Sequence, residues 1–435
     1  MNIASKSIIL KNKEREQIEA YIDEVLTYLE NEYKQQTLNP KFFIDVLVLS
    51  PIVVKYGRKT KLWEKIGYDI CKYIKQHLET YGIENTDISM ISGFGYWCYA
   101  VNEFSKTTGY LKNFSRKLNE LLLNITEEKA RILLVEKAST KMNNYDCISG
   151  LSGTTYYLLE TLGDNPKLNN SIEYLIYLSE DGDCRDTKII NYHIPRENQY
   201  RDDEKEIFIE GNLNFGLSHG MMGPLLTLSK AYQKGIHINK LKDSVNKLFE
   251  IYENFKLYNE GIPFWPGQLP LNEYLEGTAN LKWYHLASSW CYGNISIARG
   301  LQKVSRDMNW IEKENIYIED LVKIIQYSKN NYYLVSPSLC HGFSSILSVR
   351  LAAYKDTFDL RMLEGINKNF MDMIEKSLEN TYYHRQSSTP FFTNEKYTEG
   401  VMEDLSLLNG VTGILLTLFN LLEVDNSYEK ILMLD

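Results

Sequence analysis

The chain has 435 residues, 44% hydrophobic and 24% charged, the balance of an ordinary globular protein with room for a large buried core. A formal net charge of −9, with no long run of Lys or Arg, excludes nonspecific nucleic-acid binding, which needs clustered cations for its phosphate contacts. Cysteines at 71, 98, 147, 184, 291 and 340, none in a C-x-x-C arrangement, read as reduced thiols rather than a disulfide framework.

Met1 to Glu16 mixes charges with a short apolar patch at Ile8 to Leu10, which is no signal-peptide core, so a cytoplasmic protein is expected. From Arg15 to Tyr33, Ile18, Ile22, Val25, Leu26 and Leu29 recur at helical spacing and predict an amphipathic helix. A glycine-centred segment then returns six times, its first glycines at 93, 150, 220, 293, 342 and 410. Each precedes an apolar run about one short helix long, and Pro224 sits where proline favours a first helical turn. Variable intervals between copies predict helical hairpins with loops of different length, an apolar inner helix alternating with an amphipathic outer one.

Residues 165–212 break that rhythm. Tyr174 to Leu178, Lys188 to Ile194 and Glu206 to Glu210, beside Gly182, Pro195 and Asp/Asn clusters, read as a small strand-containing insertion. A second loop-rich stretch, Asn259 to Gly277, carries Pro263, Pro266 and Pro270 and is expected to cover one mouth of a ring. Leu405 to Leu422 lacks charge, but its Asn409, Gly410, Thr412, Gly413, Thr417 and Asn420 favour a buried core helix over a membrane span.

Three of the glycine turns carry a thiol or an imidazole: Gly216-Leu217-Ser218-His219-Gly220, Trp290-Cys291-Tyr292-Gly293 and Leu339-Cys340-His341-Gly342. If the following helices converge, Cys291, Cys340, His341 and His219 meet. Two thiolates and an imidazole are a natural zinc ligand set, and three protein ligands leave a fourth position open to substrate. Taken singly, Cys291 or Cys340 reads equally as a buried core thiol, His219 as a capping or core histidine, and Asp146 as the cap of a helix opening near Gly150. Cys71, Cys98, Cys147 and Cys184 read as packing, and His77, His193, His237, His285 and His384 as surface or packing residues.

Together with Tyr145 to Gly153 and Asn409-Gly410-Val411-Thr412-Gly413, these segments resemble the lanthionine synthetase C-like (LanC) cyclases. The resemblance runs from about Gly93 to the end, and the length suggests the stand-alone class I lanthipeptide cyclase rather than the form fused to a dehydratase. It implies an all-α fold, an α/α toroid built from residues 1–164 and 213–435, with 165–212 as a small inserted β-containing subdomain. It also implies one Zn2+ held by Cys291, Cys340 and His341, with His219 and Asp146 as acid/base residues and Tyr292 as an auxiliary candidate. One departure is visible: family members often carry an arginine four residues before the first zinc cysteine, where this chain has Ala287. Ser345 stands where other copies place a second glycine.

The implied reaction adds a cysteine thiolate of a dehydrated precursor peptide, made of leader and core, to dehydroalanine or dehydrobutyrine, closing a thioether ring. Implied partners are a dehydratase and an exporter, which would hold the enzyme peripherally at the membrane, and the insertion is a candidate grip for the leader. Glutathione transfer to dehydroamino acids is an alternative on the same fold. A noncatalytic zinc-stabilised helical scaffold is another, distinguished by a closed fourth zinc position.

Overall fold

In the computed structural model, which describes residues 10–83, 87–184, 187–284, 287–327, 332–378, 382–386, 393–397 and 404–435, helices begin at the glycine turns. Gly93, Gly150, Gly293, Gly342 and Gly410 are the N-caps of the helices that follow them, and Gly220 lies two residues before Met222, where its helix starts. The backbone angles are ordinary, with φ of −94° at Gly150 and −72° at Gly293. Close approach is what demands glycine. A Cβ on Gly150 would lie 2.2 Å from the Asp146 nitrogen, and one on Gly293 would lie 1.9 Å from the Ser289 nitrogen. Each turn folds so tightly onto its own backbone that no side chain fits.

The helices in chain order are α1 (Asn12–Gln35), α2 (Phe43–Tyr56), α3 (Thr60–Tyr81), α4 (Phe94–Thr108), α5 (Lys112–Glu136), α6 (Met142–Tyr145), α7 (Leu151–Leu162), α8 (Asn169–Ser179) and α9 (Asp202–Ile207). They continue as α10 (Met222–Gln233), α11 (Leu241–Asn254), α12 (Leu271–Glu276), α13 (Asn294–Asp307), α14 (Ile311–Gln326), α15 (Phe343–Thr357), α16 (Ile366–Leu378) and α17 (Val411–Leu421). Helices α2, α4, α7, α10, α13, α15 and α17 form the inner layer and are buried along most or all of their length. Neighbours in this series pack on each other, Tyr99 of α4 meeting Tyr157 of α7 with ring centroids 6.2 Å apart, and α17 returns to α2 to close the ring. The outer layer, α1, α3, α5, α8, α11, α14 and α16, buries one stripe per helix. On α11 that stripe is Leu241, Val245, Leu248, Phe249 and Tyr252, and on α1 it is the predicted set joined by Tyr21. The expected α/α toroid is therefore present.

The strands are short antiparallel pairs: β1 (Asp181–Cys184) with β2 (Thr187–Ile190), β3 (Asn212–Asn214) with β6 (Gln268–Pro270), β4 (Leu257–Asn259) with β5 (Ile262–Phe264), and β7 (Tyr382–Gln386) with β8 (Thr393–Tyr397). Of the runs read as extended, only Lys188 to Ile194 contributes a strand. Tyr174 to Leu178 lies inside α8, with Tyr174, Leu175 and Leu178 buried against neighbouring helices, and Glu206 to Glu210 holds the end of α9. A five-residue apolar run fits either period, and tertiary burial decided for helix. The stretch Asn259 to Gly277 is tied down where β6 pairs with β3, Leu269 opposite Leu213.

Leu405 to Leu422 contains α17, every residue of which is buried, and no helix among the described residues is long and apolar enough to cross a membrane. Beyond it the chain turns back into the ring. Ile431, Leu432, Met433 and Leu434 are each 2% exposed or less. The Trp290 indole Nε1 donates to the Leu432 carbonyl at 3.0 Å, Arg299 of α13 donates to Leu434 O at 2.6 Å, and the Tyr156 hydroxyl of α7 meets Asp435 Oδ1 at 2.8 Å. These bonds tie the last residues to α7, α13 and the turn that bears Cys291. Met1 to Ile9, His285 and the side chains of Cys184 and His384 lie outside the described residues.

Candidate metal centre

Backbone hydrogen bonds link the glycine turns around one face of the ring. Met90 N donates to Ile148 O at 2.8 Å, Cys147 N to Ser218 O at 3.2 Å, Leu217 N to Cys291 O at 2.7 Å, and Cys340 N to Leu408 O at 2.9 Å. Between the fourth and fifth turns the link changes, and the Trp290 N–H instead donates to Ser345 Oγ. The serine that departs from the glycine pattern thus supplies the acceptor at that junction.

This belt brings Cys291, Cys340 and His341 together, their Sγ and ring nitrogen atoms all within 4.8 Å of one another. Cys291 Sγ is hydrogen-bonded to His341 Nδ1, and Cys340 Sγ lies 3.4 Å from His341 Nε2. Both cysteines are buried, at 2% and 8% exposure. The hydrogen bond with Cys291, then burial, push the Cys340 thiol well above its ordinary pKa. Two soft sulfurs and an imidazole converging in a dry wall fit a zinc ion by donor type and number. The N-termini of α13 and α15 begin within three residues of these side chains, and those of α7 and α10 within five of Asp146 and His219, where helix N-termini favour negative charge.

His219 stands beside this cluster rather than in it. Its Nδ1 is 2.6 Å from Asp146 Oδ2, while Asp146 Oδ1 accepts from the N–H groups of Ser149 and Gly150, each at 2.7 Å. Asp146 is 1% exposed and serves two tasks: Oδ1 holds the turn ahead of α7, whose N-cap is Gly150 and not the expected Asp146, and Oδ2 holds the imidazole. Because a carboxylate accepts only, Nδ1 carries the proton toward Asp146. Burial disfavours charge on His219, but the hydrogen bond and the negative charge of Asp146 outweigh it and raise the pKa above the ordinary imidazole value. Tyr292 is held differently: its hydroxyl accepts from Asn214 Nδ2 at 2.9 Å, and its ring packs where Gly216 leaves space, 2.6 Å from an imagined Cβ. Burial pushes its pKa far up, so it is a neutral phenol.

Cys291, Cys340, His341, His219 and Tyr292 line one cavity of about 260 Å³. Ala287 lines it too, as do Arg201 and Glu204 of the 165–212 segment. Sequence reasoning missed Arg201, Glu204 and Gln268. Glu204 is 4% exposed and accepts from Gln268 Nε2 at 3.2 Å, a contact between α9 and β6 that no local motif announces. Cys71, Cys98 and Cys147 are buried outside the ligand cluster. His77 packs edge-on against Trp97, and His193 is bonded to the Glu210 carbonyl at 2.8 Å.

A double-layer helical ring with an open thiolate–imidazole centre at the N-termini of its inner helices defines a class of toroidal proteins with a metal-binding candidate site. The chain belongs to one family of that class: residues 51–434 match the model of the lanthionine synthetase C-like proteins. The nisin biosynthesis protein NisC of Lactococcus lactis subsp. lactis is 24% identical over 348 residues, covering 79% of this chain and 80% of that protein. The solved structure of a nisin cyclase superposes with a TM-score of 0.76 at 20% identity, covering 98% of both chains.

Proposed function

We propose that the protein is a zinc-dependent lanthipeptide cyclase, adding cysteine thiolates of a dehydrated precursor peptide to dehydroalanine or dehydrobutyrine. The observation that carries this reading is the meeting of Cys291, Cys340 and His341 in one cavity with a histidine held by a buried carboxylate. Family membership and the printed names of the relatives point the same way.

Cys291, Cys340 and His341 would hold the zinc, which would supply a cation that favours the thiolate of an entering thiol. The chain's own residues manage the remaining charge. Attack forms the S–Cβ bond and moves the double-bond electron pair toward the carbonyl, leaving an enolate that takes a proton at Cα. In this reading His219 accepts the thiol proton and returns one to Cα, so the cycle consumes no net proton. Asp146 keeps the imidazole in the needed tautomer, and the Tyr292 phenol is an auxiliary donor.

The test measures zinc content and ring closure together. Cys291→Ala and Cys340→Ala should each lose zinc and cyclisation while helicity by circular dichroism stays near wild type. A variant without zinc that still closes rings would overturn the assignment. We also propose the 165–212 segment, with Tyr200 78% exposed and Ile209 69% exposed, as the grip for the leader. Unchanged precursor affinity after recharging that segment would remove it. A dehydratase and exporter are the partners this reading calls for, and association with them would place the protein peripherally at the membrane.

A further inference from the structure

Six glycine turns ring the molecule, and four of them carry Asp146, His219, Cys291 and the Cys340–His341 pair. The other two, at Gly93 and Gly410, frame a second hollow of about 630 Å³. Phe43 of α2, Tyr73 of α3, Ile91 and Trp97 at the first turn and Leu407 at the last form an apolar part of its wall, while Lys41, His77 and Asp404 bring charge or polarity to the remainder. Another polar pair in the lining is already engaged, since the buried Tyr96 hydroxyl donates to Asp45 Oδ1 at 3.1 Å. An apolar side chain would be received by the aromatic and aliphatic part.

Leu408 lines both this trough and the metal cavity, and its carbonyl accepts the Cys340 N–H at 2.9 Å. The two hollows are separated by one partly exposed side chain. Past His77 and Trp97, which belong to both, a third hollow of about 490 Å³ continues along Tyr81 and Ile83. A path of connected apolar depressions thus leads away from the reacting site. The metal cavity, at about 260 Å³, falls just below the usual range for a whole small-molecule site and has room for reacting side chains but not for the peptide that flanks them.

We propose that the trough between the Gly93 and Gly410 turns is a subsite for the substrate peptide, taking an aromatic or aliphatic side chain from the segment that flanks the reacting cysteine. The proposal rests on the cyclase reading above. The occupant is the substrate rather than another protein, because a protein seated one side chain away from the metal cavity would block its entrance. Anchoring the chain beside the site cuts the freedom it must lose before sulfur and alkene meet, which is where a remote contact helps a ring closure.

The experiment uses two dehydrated peptides, one containing only the ring-forming residues and one extended by a flanking segment with an aromatic residue. Trp97→Ala should raise KM for the extended peptide about three- to tenfold, with kcat, zinc content and the short peptide unaffected. Ile91→Trp, which fills the trough without removing packing, should give the same pattern. A benzophenone at the aromatic position of the extended peptide should label residues 91–97 or 404–408 in the wild-type protein. Equal KM changes for both peptides, or labelling elsewhere, would overturn the subsite. If the trough is labelled while neither peptide is cyclised, the subsite stands and the cyclase reading fails.

Discussion

Asp146→Asn separates the two tasks of one buried carboxylate. Oδ1 accepts two backbone N–H groups at 2.7 Å, and Oδ2 accepts His219 Nδ1 at 2.6 Å. An asparagine carbonyl can still accept the Ser149 and Gly150 N–H groups, so the turn ahead of α7 keeps its acceptor and the cost at neutral pH should stay at about 1 kcal/mol. Its amide then faces Nδ1 and donates, which forces the imidazole proton onto Nε2 and removes the base that faces the cavity. The same carboxylate-to-amide change in a Ser-His-Asp triad costs roughly 10⁴ in kcat through the wrong tautomer, and general acid–base catalysis as a whole contributes about 10² to 10⁴. Ring closure should therefore slow by about 10² to 10⁴, read by thiol alkylation and mass spectrometry because cyclisation leaves mass unchanged. Asp146→Ala should lose the same activity and a further 1 to 3 kcal/mol, roughly, in a urea melt, because the Ser149 and Gly150 N–H groups lose their acceptor. An Asn variant that keeps a third or more of wild-type kcat would refute the view that Asp146 acts through His219.

The raised pKa of His219 makes the pair a source of stability that is complete below the unfolded imidazole value of about 6.5 and fades as pH rises through the folded value. Urea midpoints of wild type and Asp146→Asn should accordingly differ most on the acid side of neutral and converge in mild alkali; a gap that widens with pH contradicts this. Ser345→Ala strips the acceptor from the buried Trp290 N–H next to Cys291, costing about 1 to 3 kcal/mol by chemical melt and weakening zinc retention against a chelator. Trp290→Phe leaves the Leu432 carbonyl without its indole donor and should cost a comparable amount; unchanged stability would show that the tail is not held there. Gly153→Ala places a methyl 1.9 Å from the Cys147 carbonyl, so backbone must shift beside Asp146, and both stability and cyclisation should fall.

Much of the ring was legible because its signals are local. Glycine before an apolar run marks a helix start, and every one of the six turns stands at or just before one. Cys291, Cys340 and His341 were legible as chemistry only because three such turns carried them, and the repeat implied that the turns meet. Tyr174 to Leu178 misled because five apolar residues have no distinguishable period, and only packing against the neighbouring helices made them helical. Arg201 and Glu204 were invisible for a different reason: an Arg-Asp-Asp-Glu stretch reads as a solvated charge run until β3 and β6 pair beside it. At Asp146 the two oxygens divide the work, Oδ1 on the turn before α7 and Oδ2 on His219, so the helix cap expected there falls to Gly150 instead. The dual use was hidden because sequence assigns residues, not atoms.

The buried run from Ile431 to Leu434, with Asp435 after it, reaches three places at once: the Trp290 indole beside Cys291, Arg299 of α13 and Tyr156 of α7. The end of the chain is therefore stitched to the wall that carries a metal-ligand candidate some way back along the sequence. Unpicking those few residues would loosen that wall without touching any residue of the cluster itself.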